Sequence, residues 1–279
     1  MLKEKLINKD GFTDTEKQIA DFLLGKGEEA AYMTVRQLAD DCYASQTVVM
    51  RFCKKLGYKG FNDFKVAFVK ELENVRFNDE VDVNRPFYLD YSSRKIAQTI
   101  FSLNRQALIA CMNELDYSQL EKAARWITRS RITFLYGYGD SSIRARNLMN
   151  RLFKINKMCI LATESHEEAG ISINATNQDV AVFISYRGGN ETFNTCADLL
   201  QKNKCPVVLL SANVESQLAK KADCWITIPD MEHAADNIGT FYSQVAFDYV
   251  LNVLYSLVYS NRYTDSHKHK KQIDEFATL

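Results

Sequence analysis

Val182-Phe-Ile-Ser-Tyr-Arg-Gly-Gly-Asn-Glu-Thr192 passes from a short apolar run through two glycines to an asparagine placed to cap a helix. A buried strand, a tight turn and a helix start are the elements this order specifies. A helix that begins on such a turn offers unpaired backbone amides and the positive end of its dipole, which together favour an anion. Glycine also serves plain strand-to-helix geometry, so the turn by itself is compatible with an empty connection. The unusual feature is Arg187, a guanidinium inside the turn.

Working outward, further short β-rich runs occupy residues 132–136, 158–161, 207–210 and 224–228, separated mostly by helical segments. This alternation predicts an α/β domain: a doubly wound parallel sheet flanked by helices and buried on both faces. In such sheets ligands lie beyond the carboxyl ends of the strands. The first run ends in Gly137-Tyr-Gly-Asp-Ser-Ser142, a second glycine-rich turn entering a helix. No Gly-x-Gly-x-x-Gly occurs, so a dinucleotide site is not indicated. Residues 93–112 and 118–127 carry apolar positions at helical spacing ahead of the first strand.

The chain has 279 residues, 46% of them hydrophobic, and a formal net charge of zero. That length suggests roughly two domains. No apolar run is long enough to span a membrane, and the N-terminus lacks a signal peptide's apolar core, so a cytoplasmic protein without membrane contact is expected. Seven cysteines, odd in number and without a Cys-x-x-Cys pair, suggest reduced core thiols; neither a metal site nor a cofactor is expected.

The zero net charge conceals a basic segment. Between Gln46 and Lys70, Arg51, Lys54, Lys55, Lys59, Lys65 and Lys70 stand against the single acid Asp63. Thr34 with Gln37 has capping-box spacing at the start of one short helix, and Ser45 caps a second that Gly57 ends. Two short helices joined by three or four residues make a helix-turn-helix unit. In the second helix Val48, Val49, Phe52, Cys53 and Leu56 share one face, while Thr47, Met50, Arg51 and Lys54 share the other. Ser45, Gln46, Thr47, Met50, Arg51 and Lys54 are therefore the candidate contacts to double-stranded DNA. A lysine-rich solvated face is the bland alternative.

Leu38-Ala39, Ser45, Arg51-Phe52, Leu56-Gly57-Tyr58 and Gly60-Phe61 closely resemble the N-terminal domain of RpiR-type bacterial transcriptional regulators. Val48 stands where that family commonly has threonine. The two glycine turns, with Ser211-Ala-Asn213 and Leu218-Ala-x-x-Ala-Asp223, are similar to the SIS, or sugar isomerase, domain that such regulators carry. The resemblance implies an all-α helix-turn-helix domain over 1–76, a linker at 77–92 around Pro86, a SIS domain over 93–262 and a polar tail at 263–279. It implies a phosphorylated sugar as effector, held by Ser141, Ser142, Ser185, Arg187 and Asn190 with Glu232 nearby, and matches His166 to a histidine frequent in the family. Arg187 and Asn190 replace a serine and a threonine of the family's Ser-x-Ser-Gly-x-Thr. The guanidinium either substitutes for lost hydroxyls or pairs with a surface acid such as Glu191. Asp140 would repel a phosphate if it pointed inward.

These readings favour an operator-binding regulator of sugar or amino-sugar metabolism, a homodimer or homotetramer, not an enzyme. The alternatives are a sugar-phosphate isomerase with an accessory helical domain, whose base would be Glu232 or His166, and a helix-turn-helix that binds protein.

Overall fold

The computed structural model describes residues 2–77, 81–162, 167–233 and 237–277, and divides into units Met1–Glu80 and Val81–Leu279. The first unit is helical: α1 (Leu2–Asn8), α2 (Asp14–Lys26), α3 (Glu28–Tyr32), α4 (Val35–Asp41), α5 (Gln46–Lys55) and α6 (Phe61–Phe77). Ile19, Leu23, Leu38, Val49, Phe52 and Phe64 form its core, each at most 1% exposed. Full burial of side chains of this size contributes about 1.5–3 kcal/mol apiece. Two capping boxes, Thr13 with Glu16 and Thr34 with Gln37, start α2 and α4.

The second unit opens with α7 (Ser93–Glu114) and α8 (Tyr117–Arg129) and continues as β1 (Thr133–Tyr136), α9 (Asp140–Phe153), β2 (Cys159–Leu161), α10 (Glu167–Asn174), β3 (Val180–Ile184), α11 (Glu191–Lys202), β4 (Val207–Ser211), α12 (Gln217–Lys221), β5 (Cys224–Thr227), α13 (Phe241–Asn261) and α14 (Tyr263–Ala277). The five strands are parallel in the order β2-β1-β3-β4-β5. Side chains alternate across the sheet. Leu135, Val182, Val208 and Leu210 pack with α7, α8, α9 and α13 on one face. Phe134, Tyr136, Phe183 and Leu209 pack with α10, α11 and α12 on the other. Burial on both faces explains why the strands read as continuous apolar runs and not as an alternation.

Two boundaries differ in detail from the sequence reading. Tyr263–Ala277, within the expected polar tail, is helical as α14. Val83, within the expected linker, is buried against Leu103, Ala107 and Tyr242 of the second unit.

Candidate functional site

In the first unit, α4 ends at Cys42, and Tyr43 takes a left-handed conformation (φ 52°) that turns the chain into α5. Ser45 caps α5 as expected, its hydroxyl accepting the Val48 amide at 3.3 Å. Val49, Phe52 and Cys53 are buried, whereas Gln46, Thr47, Arg51 and Lys54 are exposed. Met50 departs from its expected outward position: it is half-buried and packs beside Gly60, where an added Cβ would lie 3.3 Å from the Met50 methyl. Part of the basic charge is internal. Lys55 binds the buried Glu16 carboxylate at 2.6 Å and the Gly11 carbonyl at 2.5 Å, and the Lys65 ammonium donates to the Met33 carbonyl at 3.1 Å. Arg51, Lys54, Lys59 and Lys70 remain on the surface.

In the second unit the strand order reverses between β1 and β3, the switch point at which an open α/β sheet forms a crevice. The two glycine turns occupy those adjacent strand ends. Gly137 tolerates no side chain, since a Cβ there would lie 2.8 Å from the Ser141 backbone. Gly139 (φ 54°) starts α9 without a side-chain cap, and the Ser141 and Ser142 amides of its first turn bond the Tyr138 and Gly139 carbonyls at 3.1 and 3.0 Å. The Ser142 hydroxyl donates to the Gly139 carbonyl at 2.7 Å and is used inside the turn. Ser185 accepts the Gly188 amide at 3.2 Å, which leaves its proton for another acceptor. Gly188 (φ 63°) passes over the buried Ser216, whose Oγ would lie 2.3 Å from an added Cβ. Asn190 caps α11, its side chain accepting the Phe193 amide at 2.9 Å.

Arg187 pairs with Asp230 and not with Glu191. Its guanidinium bonds the Glu232 carbonyl, lies 3.5 Å from Asp230 and covers the Tyr186 ring at 5.1 Å. The Tyr186 hydroxyl donates to the Pro229 carbonyl at 3.1 Å and accepts the Met231 and Glu232 amides, both at 3.0 Å. Burial raises the Tyr186 pKa, with Glu232 and Asp230 nearby adding to the rise against the two amides. Asp140 accepts a hydrogen bond from the Thr240 hydroxyl at the start of α13.

Glu232 is buried, and its carboxylate accepts the Ser243 amide at 2.8 Å, so it caps α13 from outside the helix. His166 lies outside the described residues. Sequence reading missed Tyr138, whose hydroxyl donates to the buried Glu168 and whose ring stacks on Phe193 at 4.8 Å. Burial and that hydrogen bond push the Tyr138 phenol up to about 12. The second Glu168 oxygen is buried without a hydrogen-bond partner. A tyrosine between two glycines and an acid 30 residues on carry no local pattern that distinguishes them. Among the described residues, no cluster of three or more His, Cys, Asp or Glu is arranged to hold a metal, and no helix is long and apolar enough to cross a membrane.

Residues 2–75 match the helix-turn-helix domain of the rpiR family, and residues 127–256 match the SIS domain. An uncharacterized HTH-type transcriptional regulator of Caldanaerobacter subterraneus subsp. tengcongensis is 25% identical over 268 residues, 96% of this chain and 93% of its own. Among solved structures, Vibrio vulnificus NanR complexed with ManNAc-6P has a TM-score of 0.62 at 22% identity, covering 100% of this chain and 98% of that one. The sugar isomerase domain of an RpiR transcription factor from Sphaerobacter thermophilus has a TM-score of 0.56 at 17% identity, covering 63% and 96%. At these identities the two structures establish a shared fold.

Proposed function

We propose that this chain, a transcriptional regulator of RpiR type with a helix-turn-helix domain ahead of a SIS domain, binds operator DNA under the control of a phosphorylated sugar held between the β1 and β3 turns. The observation that carries the reading is the pair of glycine turns side by side at the switch point, each feeding a helix N-terminus. Ser185 keeps a proton to donate, Ser141 lies half-buried in the first turn, and Asp140 is engaged by Thr240. The phosphosugar named with NanR makes ManNAc-6P the first effector to test, for an operon of sugar or amino-sugar metabolism.

Thr47, Arg51 and Lys54, with Ser45 and Gln46 at the helix start, are the proposed DNA contacts, and half-buried Met50 contributes only its exposed edge. One recognition helix reads few base pairs, so two copies on a symmetric operator are part of the proposal, as is a cytoplasmic location. An isomerase needs a base free to reach a substrate C–H. The Glu232 carboxylate is buried and places one oxygen on the Ser243 amide at the α13 terminus, which favours a structural role for this residue.

A thermal-shift series with ManNAc-6P, other hexose phosphates and their unphosphorylated sugars tests the proposal, together with DNA affinity on fragments selected from a random pool. Phosphate-dependent stabilisation and a ligand-dependent change in DNA affinity are expected. Absence of both, or steady phosphosugar isomerisation by the pure protein, would refute it.

A further inference from the structure

Both turns of the proposed ligand site hold the same stretch of chain, the connection from β5 to α13. From the β3 turn, Tyr186 and Arg187 bind the backbone of Pro229, Met231 and Glu232, and Arg187 also pairs with Asp230. From the β1 turn, Asp140 binds Thr240.

The other side of that connection grips the segment that directly follows the helix-turn-helix unit in the chain. The Asn84 side-chain oxygen accepts the His233 amide at 2.7 Å, and the Asn84 carbonyl accepts the Ile238 amide at 3.1 Å. Asp82 folds this segment into a turn by accepting the Asn84 amide at 2.9 Å and the Arg85 amide at 3.3 Å. Val83 is buried on Leu103, Ala107 and Tyr242, and Phe87 meets Phe241, the first residue of α13, edge to face at 6.3 Å. Residues 81–87 thus form a strap tied to the loop that the ligand turns hold.

We infer that Asn84 is a positioning residue through which occupancy of the ligand site reaches the DNA-binding unit, an inference that rests on the β1 and β3 turns being an anion site. Arg187 has one guanidinium for two employments. An anion between the turns draws it from Asp230 and the Glu232 carbonyl, residues 229–233 loosen, and the His233 amide slackens its bond to Asn84. Strap-bound and strap-released states then differ in ligand affinity, which is the condition for a ligand to shift an equilibrium elsewhere in the chain. The path from Arg187 to Asn84 runs through the neighbouring bonds to the Glu232 carbonyl and from the His233 amide, and each link can be cut separately.

The test uses the full chain. Without ligand, Arg187→Ala should speed amide hydrogen exchange at His233, Ile238, Asn84 and Arg85 by about tenfold, a change in local opening that leaves α1 to α5 as in the wild type. With ManNAc-6P and other hexose phosphates as probes, Asn84→Ala should bind the active probe at least as tightly as the wild type does, while the ratio of DNA affinities with and without probe falls towards one. Asn84→Asp keeps an acceptor for the His233 amide and should restore the ratio, which separates coupling from a folding defect. Unchanged exchange in Arg187→Ala, or a wild-type ratio in Asn84→Ala, would overturn the inference and leave the ligand site standing. If no phosphosugar binds the wild type, the ligand site falls and this inference with it.

Discussion

Removing the Arg187 guanidinium and removing its acid partner should change anion affinity in opposite directions. A charge-assisted hydrogen bond contributes about 1.5–3 kcal/mol, so Arg187→Ala sets an upper loss of that size if the guanidinium reaches the ligand phosphate. The structure reduces this figure, because Arg187 already pairs with Asp230 at 3.5 Å, both about half exposed, and bonds the Glu232 carbonyl. An exposed ion pair contributes about 0–1 kcal/mol and the carbonyl bond about 1, both given up when the guanidinium turns to the anion. Mid-range values leave a net loss of about 0.7 kcal/mol for Arg187→Ala, a weakening of roughly threefold, and the extremes cap it at about 2 kcal/mol or thirtyfold. Asp230→Asn removes only the competitor, and should tighten binding by up to about fivefold, with the gain shrinking as salt screens the pair. Titration calorimetry of wild type and both variants with the active phosphosugar, at two ionic strengths, reads both effects. Equal affinity in Arg187→Ala, or weaker binding in Asp230→Asn, would mean that the arginine serves the β5–α13 connection alone.

Three further outcomes are expected. Lys54→Glu, at an exposed position of α5, should weaken binding to a selected operator by about 1–3 kcal/mol with an unchanged melting temperature; wild-type affinity in a folded variant would exclude α5 as the recognition helix. Gly188→Ala combines a left-handed φ of 63° with a Cβ 2.3 Å from Ser216 Oγ, so it should cost at least about 1–3 kcal/mol and lower the melting temperature by several degrees in a scanning calorimeter. Burial alone would raise the Asp179 carboxyl, but Arg131 and Thr176 outweigh it and hold the pKa below the usual carboxylate value of about 4. The stabilisation is then complete above that value and lost as pH falls through the lower folded value, so Asp179→Asn should destabilise the protein at neutral pH and narrow its gap to wild type as pH falls below about 4 in urea unfolding. A constant gap across that range would show that Asp179 stays charged or contributes nothing there.

Much of the frame of the proposed ligand site and of the exposed face of α5 was legible in sequence because its signals are local. Thr34 with Gln37, Ser45 and Asn190 each bond an amide three residues on, so capping depends on spacing that survives in any fold. The apolar face of α5 follows from helical period, and the paired glycine turns follow from strand runs ending in residues that accept positive φ. Met50 is half-buried because it packs against the core of the first unit, a contact that helical period alone does not record.

The partners of the site's charged groups were decided by tertiary structure. Arg187 meets Asp230 and the Glu232 carbonyl, 43 and 45 residues on, because the connection that leaves β5 at the sheet edge runs back to the turn after β3. Glu232 serves the α13 amide of Ser243, Tyr138 finds Glu168, and Asn84 meets His233 across 149 positions. Periodicity and caps report how a segment orders itself against water and its own backbone, and those forces act within a few residues. Which side chain faces which across a crevice depends on how loops close once the sheet has formed, and no local spacing records it.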